Sequence, residues 1–228
     1  MKNSNSQSAI VLKALGLFCV SMLFVNQLSA HVVVGELESM SKTDAALLYL
    51  KLGFLHIIPQ GLDHILFVLS LYLLNPKLKP ILTQATAFTV AHSITLGLAM
   101  YGVITPNSYM VEFLIAFSIL YVALENIISP KLNKSRIAIV FLFGLLHGMG
   151  FANSLAELGL PQTAYLSSIL LFNVGVELGQ LSVILSAFLI FGKWFGNKTY
   201  YRNGIVIPVS VLIALVAVYW SVERLFYS

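Results

Sequence analysis

The chain has 228 residues, of which 58% are hydrophobic and only 10% charged. Soluble domains carry about 25% charged residues, so this chain cannot coat a soluble surface; a mean hydropathy of +0.89 likewise excludes a disordered chain, a soluble enzyme and a nucleic-acid-binding domain. What remains is an all-α polytopic membrane protein, in which the net charge of +4 matters through the position of the basic residues rather than their sum.

Residues 1–30 read as a cleavable signal peptide, with Lys2 and Lys13 in a basic leader, an apolar core from Ala14 to Val25 and a small residue, Ala30, at the cut. Cleavage there makes His31 the first residue of the mature chain. A free α-amine beside an imidazole chelates nickel or copper, so His31 is a secondary metal candidate. Cys19, the single cysteine, lies in the leader, which excludes disulfides and thiolate clusters within the mature chain. Residues 31–52 form an N-terminal segment, periplasmic in this reading, that carries Glu36, Glu38, Lys42 and Asp44. The spacing of Leu37, Met40, Ala45, Leu47 and Leu48 predicts a short helix lying on the membrane surface.

The remaining domain, 53–228, holds six apolar stretches, at about 53–74, 80–103, 109–129, 136–154, 164–192 and 204–222. Each is near the roughly 20 residues that cross a bilayer. They are too long and too uniformly apolar for the alternation of a β-barrel. Short connectors rich in Pro, Gly and Asn separate them. Connector one holds Lys77 and Lys79, connector three Lys131, Lys134 and Arg136, and connector five Lys193, Lys198 and Arg202. Connectors two and four hold no Lys or Arg. The odd connectors are therefore expected in the cytoplasm and both ends of the mature chain outside. Trp194, Trp220, Tyr72, Tyr101, Tyr109, Tyr200 and Tyr201 near span ends are expected to form an interfacial belt.

An ionisable side chain at the bilayer centre costs about 2.5–3.5 kcal/mol on insertion scales, so several in one bundle need a reason. At roughly 1.5 Å per residue, Asp63 and His64 fall about 15 Å into span one, His92 about 18 Å into span two and His147 about 17 Å into span four. In span five Asn173 lies near 14 Å and Glu177 near 20 Å, with Gln180 one turn deeper. His56 is expected nearer the outer mouth. Glu112 and Glu125 lie toward the ends of span three, positioned to snorkel or to pair with loop lysines. Imidazoles with carboxylates suit first-row divalent ions; a carboxylate either ligates directly or accepts the second ring N–H of a ligating histidine. His56, Asp63, His64, His92, His147 and Glu177 are the predicted metal ligands, with Asn173, Glu125 and His31 as secondary candidates.

Two backbone devices flank these residues. Pro59-Gln60-Gly61 interrupts span one just before Asp63-His64, which predicts a kink or unwound stretch. Gly144 and Gly148 bracket His147 in a G-x-x-x-G pair, which predicts close helix packing. Gly53-Phe54-Leu55-His56 and Gly144-Leu145-Leu146-His147 echo each other three spans apart, as in a 3+3 inverted repeat.

The stretch from Gly53 to Leu74 resembles the HupE/UreJ family of hydrogenase and urease accessory membrane proteins. That family shows H-P-x-x-G-x-D-H in the first span and F-H-G-x-A-H-G-x-E in the fourth. Gly61, Asp63 and His64 match the end of the first motif, while Pro59 stands one residue late and His56 one residue early. Gly144, His147 and Gly148 match the second motif, with Phe143 in place of its first histidine and Gly150 in place of its glutamate. Ala91-His92-Ser93 and the stretch from Gly175 to Gln180 look like a divergent branch. The resemblance implies a nickel or cobalt permease in the inner membrane of a bacterium, with metalloenzyme maturation proteins as partners beside the lipid bilayer. The ion, nickel or cobalt ahead of zinc, is cargo; no resident cofactor, catalytic residue or nucleic-acid partner is expected. No nucleotide-binding motif occurs, so a gradient or separate subunit must supply energy. Two other readings stay open: an intramembrane zinc hydrolase using three histidines, with Ser93 adjoining His92, and a non-transporting accessory protein.

Overall fold

The computed structural model describes residues 40–133, 135–158 and 165–226. The leader, its cut site, most of the segment before the first span, and His31 lie outside these residues. The helices are α1 (Lys42–Ile57), α2 (Leu62–Leu74), α3 (Leu78–Met100), α4 (Ser108–Ile128), α5 (Arg136–Leu158) and α6 (Tyr165–Ala187). A π-helical turn, Phe188–Gly192, carries α6 into the short α7 (Lys193–Phe195), and a second, Arg202–Val206, leads into α8 (Ile207–Phe226). Among the described residues there is no strand. Among the described residues α3, α4, α5, the α6–α7 run and the run through α8 are each long and apolar enough to cross a membrane, and α1 with α2, bent 67° from each other, makes a sixth candidate when the pair is taken as one broken span.

Local chemistry sets the boundaries. The Ser41 hydroxyl accepts the Asp44 N–H at the start of α1, and the Asn107 side chain accepts the Met110 N–H at the start of α4. Gly102, with φ of 69°, closes α3 in the left-handed conformation. The first span breaks where Pro59-Gln60-Gly61 predicts. A side chain at Gly61 would collide with the His56 carbonyl oxygen and stand 3.3 Å from His64 Nδ1, so only glycine lets the two half-helices meet this closely.

Three parallel or antiparallel pairs build the bundle: α1 with α6, α3 with α5, and α4 with α8. Glycines set the first two. A Cβ on Gly53 would strike the Phe172 carbonyl, and one on Gly175 the Leu50 carbonyl. A Cβ on Gly144 would meet Phe88 and Ala91, and one on Gly148 the His92 carbonyl. Gly179 meets Ile57 in turn, so the numbers rise together along both helices and α1 runs parallel to α6. The same holds for α5 on α3. In the third pair, Arg224 of α8 meets Glu112 near the start of α4, while Arg202 donates to the Ile127 and Ser129 carbonyls at its end. These two helices are antiparallel. All three relations agree with six spans that alternate in direction.

Two expectations are corrected by packing. Met40 precedes and Ala45, Leu47 and Leu48 begin α1, a helix continuous to Ile57, and no separate surface helix is formed by the described residues. Ala45, Tyr49, Gly53 and Ile57 are its buried stripe. Covering that stripe with α6 buries more apolar surface than a position on the interface would. Tyr72 and Tyr201 are buried, not part of an interfacial belt. The Tyr201 hydroxyl donates to the Leu73 carbonyl at 3.2 Å, whereas Trp194, Tyr101 and Tyr109 are exposed as expected.

At the start of α5 lies a guanidinium with only 1% of its residue exposed, that of Arg136. It donates from Nε to Gln84 at 3.0 Å, pairs with Glu125 at 2.8 Å and contacts Asn126 Oδ1 at 3.3 Å. Asn126 Nδ2 in turn donates to the Ser70 carbonyl at 2.7 Å and lies 3.3 Å from Ser210 Oγ. This network ties α2, α3, α4, α5 and α8 together. Glu125 is thus a structural ion-pair partner of Arg136 and not a member of the histidine site, and Glu112 pairs with Arg224; among the described residues neither pairs with a loop lysine.

Candidate metal centre

The bend in the first span brings histidines from four segments together. His56 ends α1 and His64 begins α2, and their ring centres are 4.7 Å apart. His92 of α3 lies 6.0 Å from His64 and 6.1 Å from His56, and His147 of α5 lies 4.9 Å from His64. One ring nitrogen from each of His56, His64 and His92 stands within 4.8 Å of the other two. His56 is therefore in the cluster and not at an outer mouth. The rise of an unbroken helix does not apply across 58–61, where the chain leaves the helix and turns by 67°.

Second-sphere contacts orient three of the rings. His64 Nδ1 faces Asp63 Oδ1 at 3.1 Å, and Asp63 Oδ1 also accepts the His64 backbone N–H at 2.8 Å. His92 Nδ1 faces Asn173 Oδ1 at 3.0 Å. Asn173 Nδ2 donates to the Ile169 carbonyl at 2.8 Å, which fixes the amide with its oxygen toward His92. His147 Nδ1 faces the Phe143 carbonyl at 2.8 Å. Each acceptor is an oxygen, so each ring carries its proton on Nδ1 and leaves the Nε2 lone pair free. The Nε2 atoms of His56, His64, His92 and His147 are all buried, and none has a hydrogen-bond partner among the described residues. An unpaired buried polar atom costs about 1–3 kcal/mol; three imidazoles with ring nitrogens this close, and a fourth at their border, suit a divalent cation.

Phenylalanines wall the cluster. Phe151 lies 3.9 Å from the His56 ring and stacks on Phe172 at 4.9 Å. Phe88 lies 4.9 Å from His147 and 5.7 Å from His64, and Phe67 5.3 Å from His147. These four rings exclude water and limit the coordination available. Their apolar character matched that of every other core position in the sequence, so nothing there distinguished them. Phe143 packs on Phe67 and Tyr121, at ring distances of 6.1 and 5.6 Å. Near Gly150 the space is filled by Ile115, Val111 and, at 3.9 Å from a built Cβ, Glu112 Oε1.

The carboxylates divide. Asp63 sits beside His64 as an orienting group. Glu177 accepts from the Thr86 and Thr89 hydroxyls at 2.9 and 2.5 Å, about one turn further along α6 than the His92–Asn173 contact, and is not brought into the histidine group. Four residues of helix, about 6 Å of rise, separate Glu177 from the Asn173 that meets His92. The Ser93 hydroxyl donates to the Thr89 carbonyl of its own helix at 2.6 Å.

A family model described as HupE / UreJ protein matches residues 30–224. No curated protein and no solved structure matches the chain.

Proposed function

The chain belongs to the HupE/UreJ family, and on that premise we propose that it is a permease for a divalent transition-metal cation, nickel or cobalt, that passes through the imidazole cluster. The observation that carries this reading is the set of four buried Nε2 atoms, on four different helical segments, with no partner in the described protein. Each ligand arrives on a different helix. A site assembled this way forms and opens as those helices move, which a carrier needs and a closed structural site does not. His56, His64 and His92 hold the ion, His147 borders them, and Asp63 and Asn173 keep two of the rings in the ligating tautomer.

In this reading the protein lies in the inner membrane of a bacterium. The lysines at 77, 79, 131, 193 and 198 face the cytoplasm and the mature ends face outward. The two halves are inverted repeats. Gly53-x-x-His56 lies on the Phe172 carbonyl and Gly144-x-x-His147 on that of Phe88, and the α1–α6 pairing mirrors the α5–α3 pairing. Rocking of one such pair against the other would expose the histidines to each side in turn. The test is uptake of radioactive nickel or cobalt into vesicles reconstituted with wild type or His64→Ala. Loss of uptake with normal insertion is expected; equal uptake by the two proteins would defeat the assignment.

A further inference from the structure

The carboxylates within the described spans differ in their company. Asp63 has His64, Glu112 has Arg224 and Glu125 has Arg136. Glu177 has two threonine hydroxyls instead, Thr86 on Oε1 and Thr89 on Oε2, and among the described residues no Lys, Arg or His is paired with it. An ionised carboxylate at membrane depth is costly without a cation. A hydroxyl is a special neighbour for such a group, because it donates to the carboxylate and accepts from the carboxylic acid. Lys and Arg serve only the ionised form. The Glu177 site can therefore hold its hydrogen bonds in both protonation states by turning two hydroxyl rotors.

Its surroundings extend the pattern. Asn173, Glu177 and Gln180 follow at spacings of four and three and share one face of α6. Gln180 is fully buried, and neither its Nε2 nor its Oε1 has a hydrogen-bond partner among the described residues. The titratable groups on the packed elements are Lys42, Asp44, Tyr49, Lys51 and His56 on α1, Asp63, His64 and Tyr72 on α2, and Lys79 and His92 on α3. The stretches 53–76 and 80–130, which supply the packed parts of these helices, contain no Lys or Arg. Thr86 also lines a lipid-facing apolar groove with Leu82, Thr83 and Val90, so the site is reachable from the hydrocarbon.

We propose that Glu177, held by Thr86 and Thr89, is a proton-carrying site, separate from the imidazole cluster and one turn inward of it, and that Gln180 extends it toward the inner side. In the complete cycle Glu177 takes up a proton from one side and releases it to the other. The proposal concerns a carboxylic acid and does not depend on which metal, if any, the histidines bind.

The test uses dicyclohexylcarbodiimide, an apolar reagent that forms a stable N-acylurea with protonated carboxyls. The full-length protein in detergent is labelled without metal, and the adduct is mapped by mass spectrometry at about pH 6 and about pH 8.5, bracketing neutrality. We expect labelling of Glu177 that is severalfold stronger at the lower pH and insensitive to sodium, with Glu112 and Glu125 unlabelled. Glu177→Gln should lose that adduct. Thr89→Val, which removes one partner and leaves the carboxyl, should shift the pH at which labelling falls. Absence of label on Glu177 in folded protein, equal label at both pH values, or protection by sodium ions would each overturn the proposal. A failure of metal uptake with labelling intact would count against the transport reading alone.

Discussion

Asn173→Leu is the sharpest perturbation of the centre because it removes one atom that matters and little else. The Asn173 oxygen is the acceptor for His92 Nδ1 at 3.0 Å, while its nitrogen donates to a carbonyl of its own helix. Leucine has a similar volume, and loss of the second bond leaves Ile169 with its helical partner. The fold should therefore survive. His92 loses the contact that selects its tautomer and fixes its ring beside His56 and His64. Loss of such outer contacts typically weakens metal binding 10–100-fold, about 1.4–2.8 kcal/mol. Calorimetric titration of the detergent-solubilised variant with Ni²⁺ measures this, with thermal unfolding as the control. Affinity within twofold of wild type, at an unchanged unfolding temperature, would refute the ligating role of His92 Nε2.

Three further outcomes follow from the same geometry. Gly148→Leu forces a side chain onto the His92 carbonyl and should lower stability by about 1–3 kcal/mol while abolishing metal binding, whereas Gly97→Leu, at a position with nothing within 4 Å of a built Cβ, should do neither; melting curves of both decide it. Arg136→Leu strands Glu125 and Asn126 in a buried site and should cost about 3–5 kcal/mol, and adding Glu125→Leu should restore part of that loss, read from unfolding of the single and double variants. Nickel binding should persist through neutral pH and be lost in acid once protons take the imidazole nitrogens that ligation needs; binding that survives down to the pH at which the protein unfolds would contradict histidine ligation.

The spans, their alternation and three of the four converging histidines, His64, His92 and His147, were legible in the sequence because each rests on a local and costly feature. Apolar length, punctuation by Pro and Gly, and ionisable groups in hydrocarbon all leave marks in the chain. The failures have a common cause: depth along a helix is a one-dimensional measure. It placed His56 too far out, since the chain leaves the helix around Pro59-Gln60-Gly61 and turns by 67°. It counted Glu177 among the ligands, although that residue lies a turn along α6 from the Asn173 that meets His92 and bonds to Thr86 and Thr89. Arg136 was read as a cytoplasmic charge that sets topology. Its burial against Gln84, Glu125 and Asn126 depends on α2, α3, α4 and α8 meeting at one end, which no single segment encodes. The aromatic wall of Phe67, Phe88, Phe151 and Phe172 was invisible for a similar reason, since only the tertiary packing separates rings that face imidazoles from rings that face lipid.

X-ray absorption at the nickel edge of the loaded, purified protein examines the central claim most directly, because imidazole rings leave a recognisable multiple-scattering pattern. One nickel per chain with scattering from about three imidazoles, diminished in His64→Ala and in His92→Ala, is the expected result. Stoichiometric nickel with no imidazole scattering, or spectra identical in wild type and both variants, would contradict it.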